Sequence, residues 1–286
     1  MPRARLSHLC LACFAPSRDS KAMFEFPQTD EPIPADGPNV IPAATVVIFR
    51  QSRTGGAPEL LMLQRAKEMR FAGNATVFPG GRVDPADRDL AKALLPEVPI
   101  ERAAAKIAGI RETLEETGLM IAVRTPVSPK EAAAARVMLL KDGRLAPVLD
   151  HFGWELATDS LTLYAHWCPI WERAFDTRFF IHDLGTGSVD VEVDATENTR
   201  LFWTSAADTL AMAGRGEIKI IFPTRRNLER LAQFNSYDEV LEDIARHPVR
   251  RINGITIDHD GEKWLMLPED AGYPVLGEPL SSVRRS

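Results

Sequence analysis

Cysteine is scarce: the 286 residues hold three, Cys10, Cys13 and Cys168. Three thiols cannot build a disulfide framework, and they fit a reducing compartment. Cys10 and Cys13 form a C-x-x-C pair, but a redox motif needs a βαβ context after it, and none follows. The pair reads as two small apolar residues in a short N-terminal stretch. Long apolar runs are missing too; none approaches the roughly 18 residues of a membrane-spanning helix. An excess of positive charge is the third absence. Lys and Arg number 34 against 40 Asp and Glu, a formal charge of −6 with a pI near 5.6. That balance leaves no general footprint for a nucleic-acid polymer, whereas a small anionic substrate needs only one basic patch.

An apolar fraction of 45% and a charged fraction of 26% are ordinary for a globular chain. The length suits one large domain with extensions. In residues 1–22, Arg3 and Arg5 precede a short apolar run, and Pro16-Ser17-Arg18 is a poor cleavage context. Those residues read either as sequence upstream of a start at Met23 or as a tail. The expected location is cytoplasmic.

Prolines at 32, 34, 38 and 42 make an extended lead-in, so 1–41 is expected to precede the domain proper. Ala44–Arg50 and Glu59–Arg65 are β-branched or apolar runs joined by turn residues Arg53 to Gly56, which predicts a hairpin. Thr76-Val77-Phe78 is a strand that must turn at Pro79-Gly80-Gly81. A short helix over 87–95 precedes Pro96 and Pro99. From Glu101 the apolar residues Ala103, Ile107, Ile110 and Leu114 recur at helical spacing, with Gly118 just past the end.

Further on, Leu119–Val123 reads as a strand and Pro129–Leu140 as a helix. Strands are expected at 161–170, 175–181 and 199–204, and helices at 205–213, 224–234 and 236–245. Asp260-Gly261 carries hairpin chemistry in a C-terminal extension over 246–286. No regular βαβ alternation appears. The expected class is therefore α+β, a mixed sheet with helices packed on it.

One helix breaks local rules. Each helical residue advances about 100°, so Glu112, Glu115 and Glu116 share one face at spacings where like charges repel. They also stand near the helix C-terminus, where the dipole favours cations. Arg111 relieves part of this by pairing with Glu115 at i+4. A hard divalent cation, Mg2+ or Mn2+, would resolve the rest, and violated local rules mark functional sites. Before the helix, Gly80 and Gly81 leave room for a close approach by carbonyls or phosphate. A solvated acidic helix end is the bland alternative, and the preceding Phe-Pro-Gly-Gly turn weighs against it.

Gly81 followed by Arg111-Glu112-x-x-Glu115-Glu116-x-Gly118-Leu119 resembles the Nudix box, G-x5-E-x7-R-E-U-x-E-E-x-G-U, with Thr113 at an aliphatic position. Gly81 and Arg111 are 30 positions apart where the motif has 14, so 16 more residues intervene. The first Glu of the box then falls at Asp87 counted forward or at Ala103 counted back, and neither is assigned. This insert, at about 85–100, resembles a subgroup that includes peroxisomal coenzyme A diphosphatases. Trp167-Cys168-Pro169, Phe175-Asp176-Thr177-Arg178-Phe179-Phe180 and the stretch from Trp203 to Phe234 resemble it as well.

The resemblance implies a Nudix fold over 42–245, a mixed sheet sandwiched between helices, with extra C-terminal helices. It implies that Glu112 and Glu116 bind a divalent metal, that Glu115 ligates it or helps activate water, and that the Gly81 carbonyl completes the shell. Arg111 is expected to orient the glutamates. Asp190, Glu192, Asp194 and Glu197 are candidates for a further acidic ligand, while His166, without a partner at ligand spacing, reads as structural. Arg65-Ala66-x-x-Met69-Arg70 before Phe78-Pro79-Gly80-Gly81 resembles the coenzyme A signature, making Arg65, Arg70, Gly80 and Gly81 expected substrate contacts. The expected partner is a small nucleotide-like molecule, with no nucleic-acid polymer and no membrane, and a homo-oligomer is left open. The implied reaction is hydrolysis of coenzyme A or acyl-coenzyme A to 3′,5′-ADP and a phosphopantetheine fragment. ADP-ribose or a dinucleotide is the rival substrate, and a non-catalytic binding module the rival function.

Overall fold

A computed structural model describes residues 26–31, 33, 39–52, 55–66, 73–169, 174–185 and 198–283. Cys10, Cys13, Arg70, Asp190, Glu192, Asp194 and Glu197 lie outside the described residues.

The first hairpin sets the architecture by coming apart. β1 (Ile41–Arg50) and β2 (Glu59–Arg65) pair only at Phe49↔Leu60 and Arg50↔Glu59. Beyond that point each strand takes its own neighbours. β1 lies between β4 (Gly80–Arg82), antiparallel, and β6 (Phe175–Asp183), parallel over nine positions. β2 lies between β3 (Thr76–Val77) and β7 (Asn198–Ser205), both antiparallel. Antiparallel β5 (Thr162–Trp167) and then β8 (Arg251–Ile252) extend the sheet past β6. The chain from β3 to β4 thus crosses the gap between β2 and β1 at Phe78-Pro79.

Strand alternation feeds two cores. Ala44, Val46 and Ile48 of β1 face one buried cluster, built with α1 (Pro85–Leu94), α2 (Ile100–Thr117), α3 (Pro129–Asp142) and α4 (Leu145–Phe152). Val47 and Phe49 face the other, which draws on α5 (Ala206–Gly214), α6 (Phe222–Leu231) and α7 (Tyr237–Arg246). Helices cover both faces of the mixed sheet, as an α+β sandwich requires. Ile252, Leu265, Leu267, Tyr273 and Val283 carry the segment after α7 into the second cluster. There β9 (Thr256–His259) and β10 (Glu262–Met266) pair across Asp260-Gly261, with φ of 50° and 81°, and β11 (Gly277–Pro279) and α8 (Leu280–Val283) follow.

α2 is the pivot of the first core. Its alanines 103, 104, 105 and 108 are fully buried, and small side chains let it lie close on β1. A Cβ at Gly109 would press on Val46, so glycine is what allows that approach. Thr113, in an aliphatic slot, is fully buried and satisfied: its hydroxyl donates to the Gly109 carbonyl at 2.7 Å. Gly118 ends the helix at φ +73°, donating to Leu114 O at 3.0 Å.

One expectation fails, and one helix was unforeseen. Leu119–Val123 is not a strand of the sheet. Leu119, Ile121 and Ala122 are buried, but Ala122 turns at φ +52°, its carbonyl accepts from Ala157 N–H, and Val123 makes an isolated bridge to Leu156. Apolar character here marks burial in a loop under α4. That helix was not expected; a short Leu-Ala-Pro-Val-Leu run carries too few turns to show a period.

Candidate active site

The acidic face of α2 does not look out to solvent as its helical wheel suggests. The Gly80-Gly81 turn lies over it. Gly80 N–H donates to Glu116 Oε2 at 2.8 Å. A Cβ on Gly81 would overlap the Glu112 carboxylate, and one on Gly80 would overlap the backbone of β1 at Ala44 and Thr45. The room these glycines leave is used by the protein's own carboxylate and strand. Glu116 is only 5% exposed, while Glu112 and Glu115 are half-buried.

Arg111 organises the group. Its Nη1 lies 3.0 Å from Glu112 Oε1 and donates to Glu115 Oε2 at 3.1 Å. Nε and Nη2 each donate to the Asp87 carboxylate at 3.0 Å, and Nη2 also donates to Arg82 O at 2.8 Å. Burial works against the guanidinium charge, but Asp87, Glu112 and Glu115 hold it on. Asp87 is itself buried, third in α1, and its Oδ2 accepts from Asp84 N–H at 2.9 Å. Of the two positions left open for the first acid of the motif, Asp87 is the one at Arg111; Ala103 is a core methyl. Counting forward from Gly81 reaches Asp87, but the insert left the count without an assignment.

One arginine does not balance three glutamates. Burial, opposed by Arg111 and reinforced by Glu115, pushes Glu112 up to about 7. Burial likewise raises Glu115. Glu116 goes to about 8 through burial and the charge of Glu112, partly offset by Gly80 N–H and by the nearby Arg65 and Asn198. Such carboxylates are short of positive charge. Among the described residues, no three acidic, histidine or cysteine side chains already converge as a metal cage. The donor chemistry nevertheless fits a hard divalent cation: buried carboxylate oxygens beside a glycine-rich backbone turn.

Arg65 ends β2, half-buried, and its Nε has no hydrogen-bond partner. Opposite it in the ladder stands Asn198, the first residue of β7 and a residue that the sequence pattern did not single out. A strand-opening Asn carries no motif, so nothing in the chain marked it. His166 belongs elsewhere: fully buried, its Nε2 bonds Asp176, and its Nδ1 pairs with Thr29 Oγ1 at 2.8 Å.

No family model matches the chain, and no curated protein matches it. Among solved structures, a NUDIX hydrolase from Alicyclobacillus acidocaldarius is similar at a TM-score of 0.61 and 29% identity, covering 71% of this chain and 96% of that one. A MutT protein from Methanosarcina mazei Go1 overlaps less, at 0.39 and 16% identity over 70% of this chain and 97% of that one. The NUDIX domain of Shewanella oneidensis NrtR, complexed with ADP ribose, does so at 0.37 and 12% over 76% and 97%.

Proposed function

The chain is a Nudix hydrolase, and from that premise we propose that it cuts a phosphoanhydride bond in a nucleoside diphosphate derivative with a divalent cation held by the α2 face. The observation that carries this reading is geometric: three glutamates share one covered helix face, Arg111 pairs with Glu112 and Glu115, and Glu116, 5% exposed, accepts from a backbone N–H. Glu112 and Glu116 hold Mg2+ or Mn2+, with Glu115 and the Gly81 carbonyl as further oxygen donors. The cation, when bound, supplies charge to the phosphate oxygens and acidifies water.

The chain's own groups do the rest. Arg111, anchored by Asp87, fixes Glu112 and Glu115 at one end of the face. Gly80 N–H fixes Glu116 at the other. Water attacks one phosphorus, the P–O bond to the bridging oxygen breaks, and the departing phosphate takes that oxygen and its electron pair. The proton lost by the water passes to a glutamate of the face. Arg65 draws the anionic substrate towards Glu116.

For the substrate we propose coenzyme A or an acyl-coenzyme A, supported by the Arg65-Ala66-x-x-Met69-Arg70 segment and its spacing to the Gly80-Gly81 turn. The discriminating feature is the 3′-phosphate, which a cationic side chain would read. Incubation with coenzyme A, ADP-ribose and dinucleotides plus Mg2+ or Mn2+, with products identified by mass spectrometry, tests both levels. Release of 3′,5′-ADP from coenzyme A in preference to the other cleavages is expected. Preference for ADP-ribose overturns the substrate and leaves the reaction standing; no cleavage of any diphosphate overturns the reaction. Arg70→Ala should cut kcat/KM for coenzyme A by roughly tenfold, one charged contact, and spare dephospho-coenzyme A.

A further inference from the structure

Asn198 is 1% exposed, and neither its Nδ2 nor its Oδ1 has a hydrogen-bond partner. It lies beside the Glu116 carboxylate and favours its charge, without a well-formed hydrogen bond. Buried amides are nearly always paired, because an orphaned one loses its water and receives nothing back. Its influence on Glu116 aside, folding gives no reason for a carboxamide here; a leucine of similar size would cost less.

The neighbour across the ladder has the same defect. Arg65, opposite Asn198, keeps a buried Nε without a partner, and the β2–β7 register shifts between Gln64 and Arg65. The irregular register falls where these two side chains meet the α2 face. Two unused donors, one cationic and one neutral, thus sit at facing positions beside Glu116. A ligand that satisfies both must bring at least two strong acceptors. A diphosphate does so with its non-bridging oxygens, and it enters where a cation on Glu116 would hold it.

We propose that Asn198 is a substrate-binding residue of this site, its carboxamide donating to a non-bridging oxygen of the diphosphate beside Arg65. The assignment rests on the diphosphate-hydrolase reading and adds a contact from outside the acidic helix. Bound substrate supplies the partner that the free protein lacks. The amide therefore weakens the free protein and strengthens the complex.

That opposition gives the test. Wild type, Asn198→Leu and Asn198→Asp are compared in two measurements: Tm without ligand, and affinity for α,β-methylene-ADP with Mg2+ by titration calorimetry. Asn198→Leu should leave the ligand-free Tm unchanged or raised, while its affinity for the probe falls about tenfold, a lost contact of about 1.4 kcal/mol. Asn198→Asp should lose more affinity, since it sets a carboxylate against phosphate. A lowered Tm with unchanged affinity in Asn198→Leu makes the residue structural and overturns the inference. Wild type that fails to bind the probe with Mg2+ overturns the diphosphate reading, and this contact with it; probe binding that is tight in wild type and in Asn198→Leu overturns the contact alone.

Discussion

Asp176 and Glu116 are each 5% exposed, yet the fold treats their charges in opposite ways. Around Asp176 both carboxylate oxygens are paired. His166 Nε2 bonds one oxygen, Arg178 Nη1 donates to the other at 3.0 Å, and Thr29 closes the far side of the histidine. Burial alone would raise Asp176, but His166 and Arg178 bring it down to about 2. Burial also lowers His166, so near neutrality the ring is uncharged and Arg178 carries the compensating charge. Around Glu116, burial and the charge of Glu112 push the carboxyl up to about 8, and Gly80 N–H, Arg65 and Asn198 offset only part of this.

The two clusters share burial and carboxylate chemistry; what separates them is whether a cationic side chain pairs with the carboxylate, as Arg178 does with Asp176. The first is a structural lock that ties residues 27–31 to the sheet: Arg178 Nη2 donates to Thr29 O, Arg251 N–H to Pro27 O and Arg251 Nη1 to Glu31 O. The second is short of positive charge, and the cation proposed for it would supply what is missing.

Breaking each cluster should therefore damage different properties. The largest effect is expected from Glu116→Gln, which keeps an acceptor for Gly80 N–H but removes the charge. Turnover should fall by about 100-fold or more, the scale of one well-placed electrostatic contact, with ligand-free Tm unchanged or higher because a buried ionisable group has been replaced by a neutral one. Near-normal turnover would make the α2 face structural after all.

Asp176→Asn should do the reverse. It leaves Arg178 without its charge partner at about 3 kcal/mol, the lower end for a broken buried pair. For a chain of this size that is a drop in Tm of roughly 6–12 °C, while turnover at permissive temperature stays within about twofold. The pH dependence has a definite sign. The folded pKa of Asp176 lies below its unfolded value near 3.8, so its contribution is present above that value and disappears as pH falls towards 2. About 2 kcal/mol should be lost over that window, and acid denaturation of Asp176→Asn should lack that part. A variant that denatures along the wild-type acid curve would show the lock contributes nothing.

Gly81→Ala should have a smaller effect. The added methyl displaces the Glu112 carboxylate without removing it. A roughly tenfold loss of turnover is expected, since misplacing a reacting group by about an ångström costs up to 100-fold. Unchanged kinetics would mean Glu112 need not hold its position.

Much of this contrast was legible in the chain. Helical spacing put Glu112, Glu115 and Glu116 on one face, and Gly118 marked where α2 stops. The i+4 pairing of Arg111 with Glu115 followed from the same geometry. The pattern did not show that the face is covered, because Gly80 and Gly81 reach it across 30 residues and through a sheet neighbour. For the same reason Asp87 stayed unassigned: the insert breaks the count, and only folding brings α1 back onto Arg111. Asp176 and His166 are ten residues apart on neighbouring strands, and their ladder register, not any motif, makes the lock. Asn198 carried no signal because an orphaned amide is a property of packing.

The most direct test is thermal unfolding with and without Mg2+ for wild type, the Glu112→Gln/Glu116→Gln double variant and Asp176→Asn. A ligand that binds only the folded state at ten to a hundred times its Kd adds about 1.4–2.7 kcal/mol. Wild type and Asp176→Asn should therefore gain the same few degrees of Tm from the ion, although they start from different values. The double variant should gain none. Equal shifts in all three, or none in wild type, would contradict the claim that the acidic face of α2 is completed by a divalent cation.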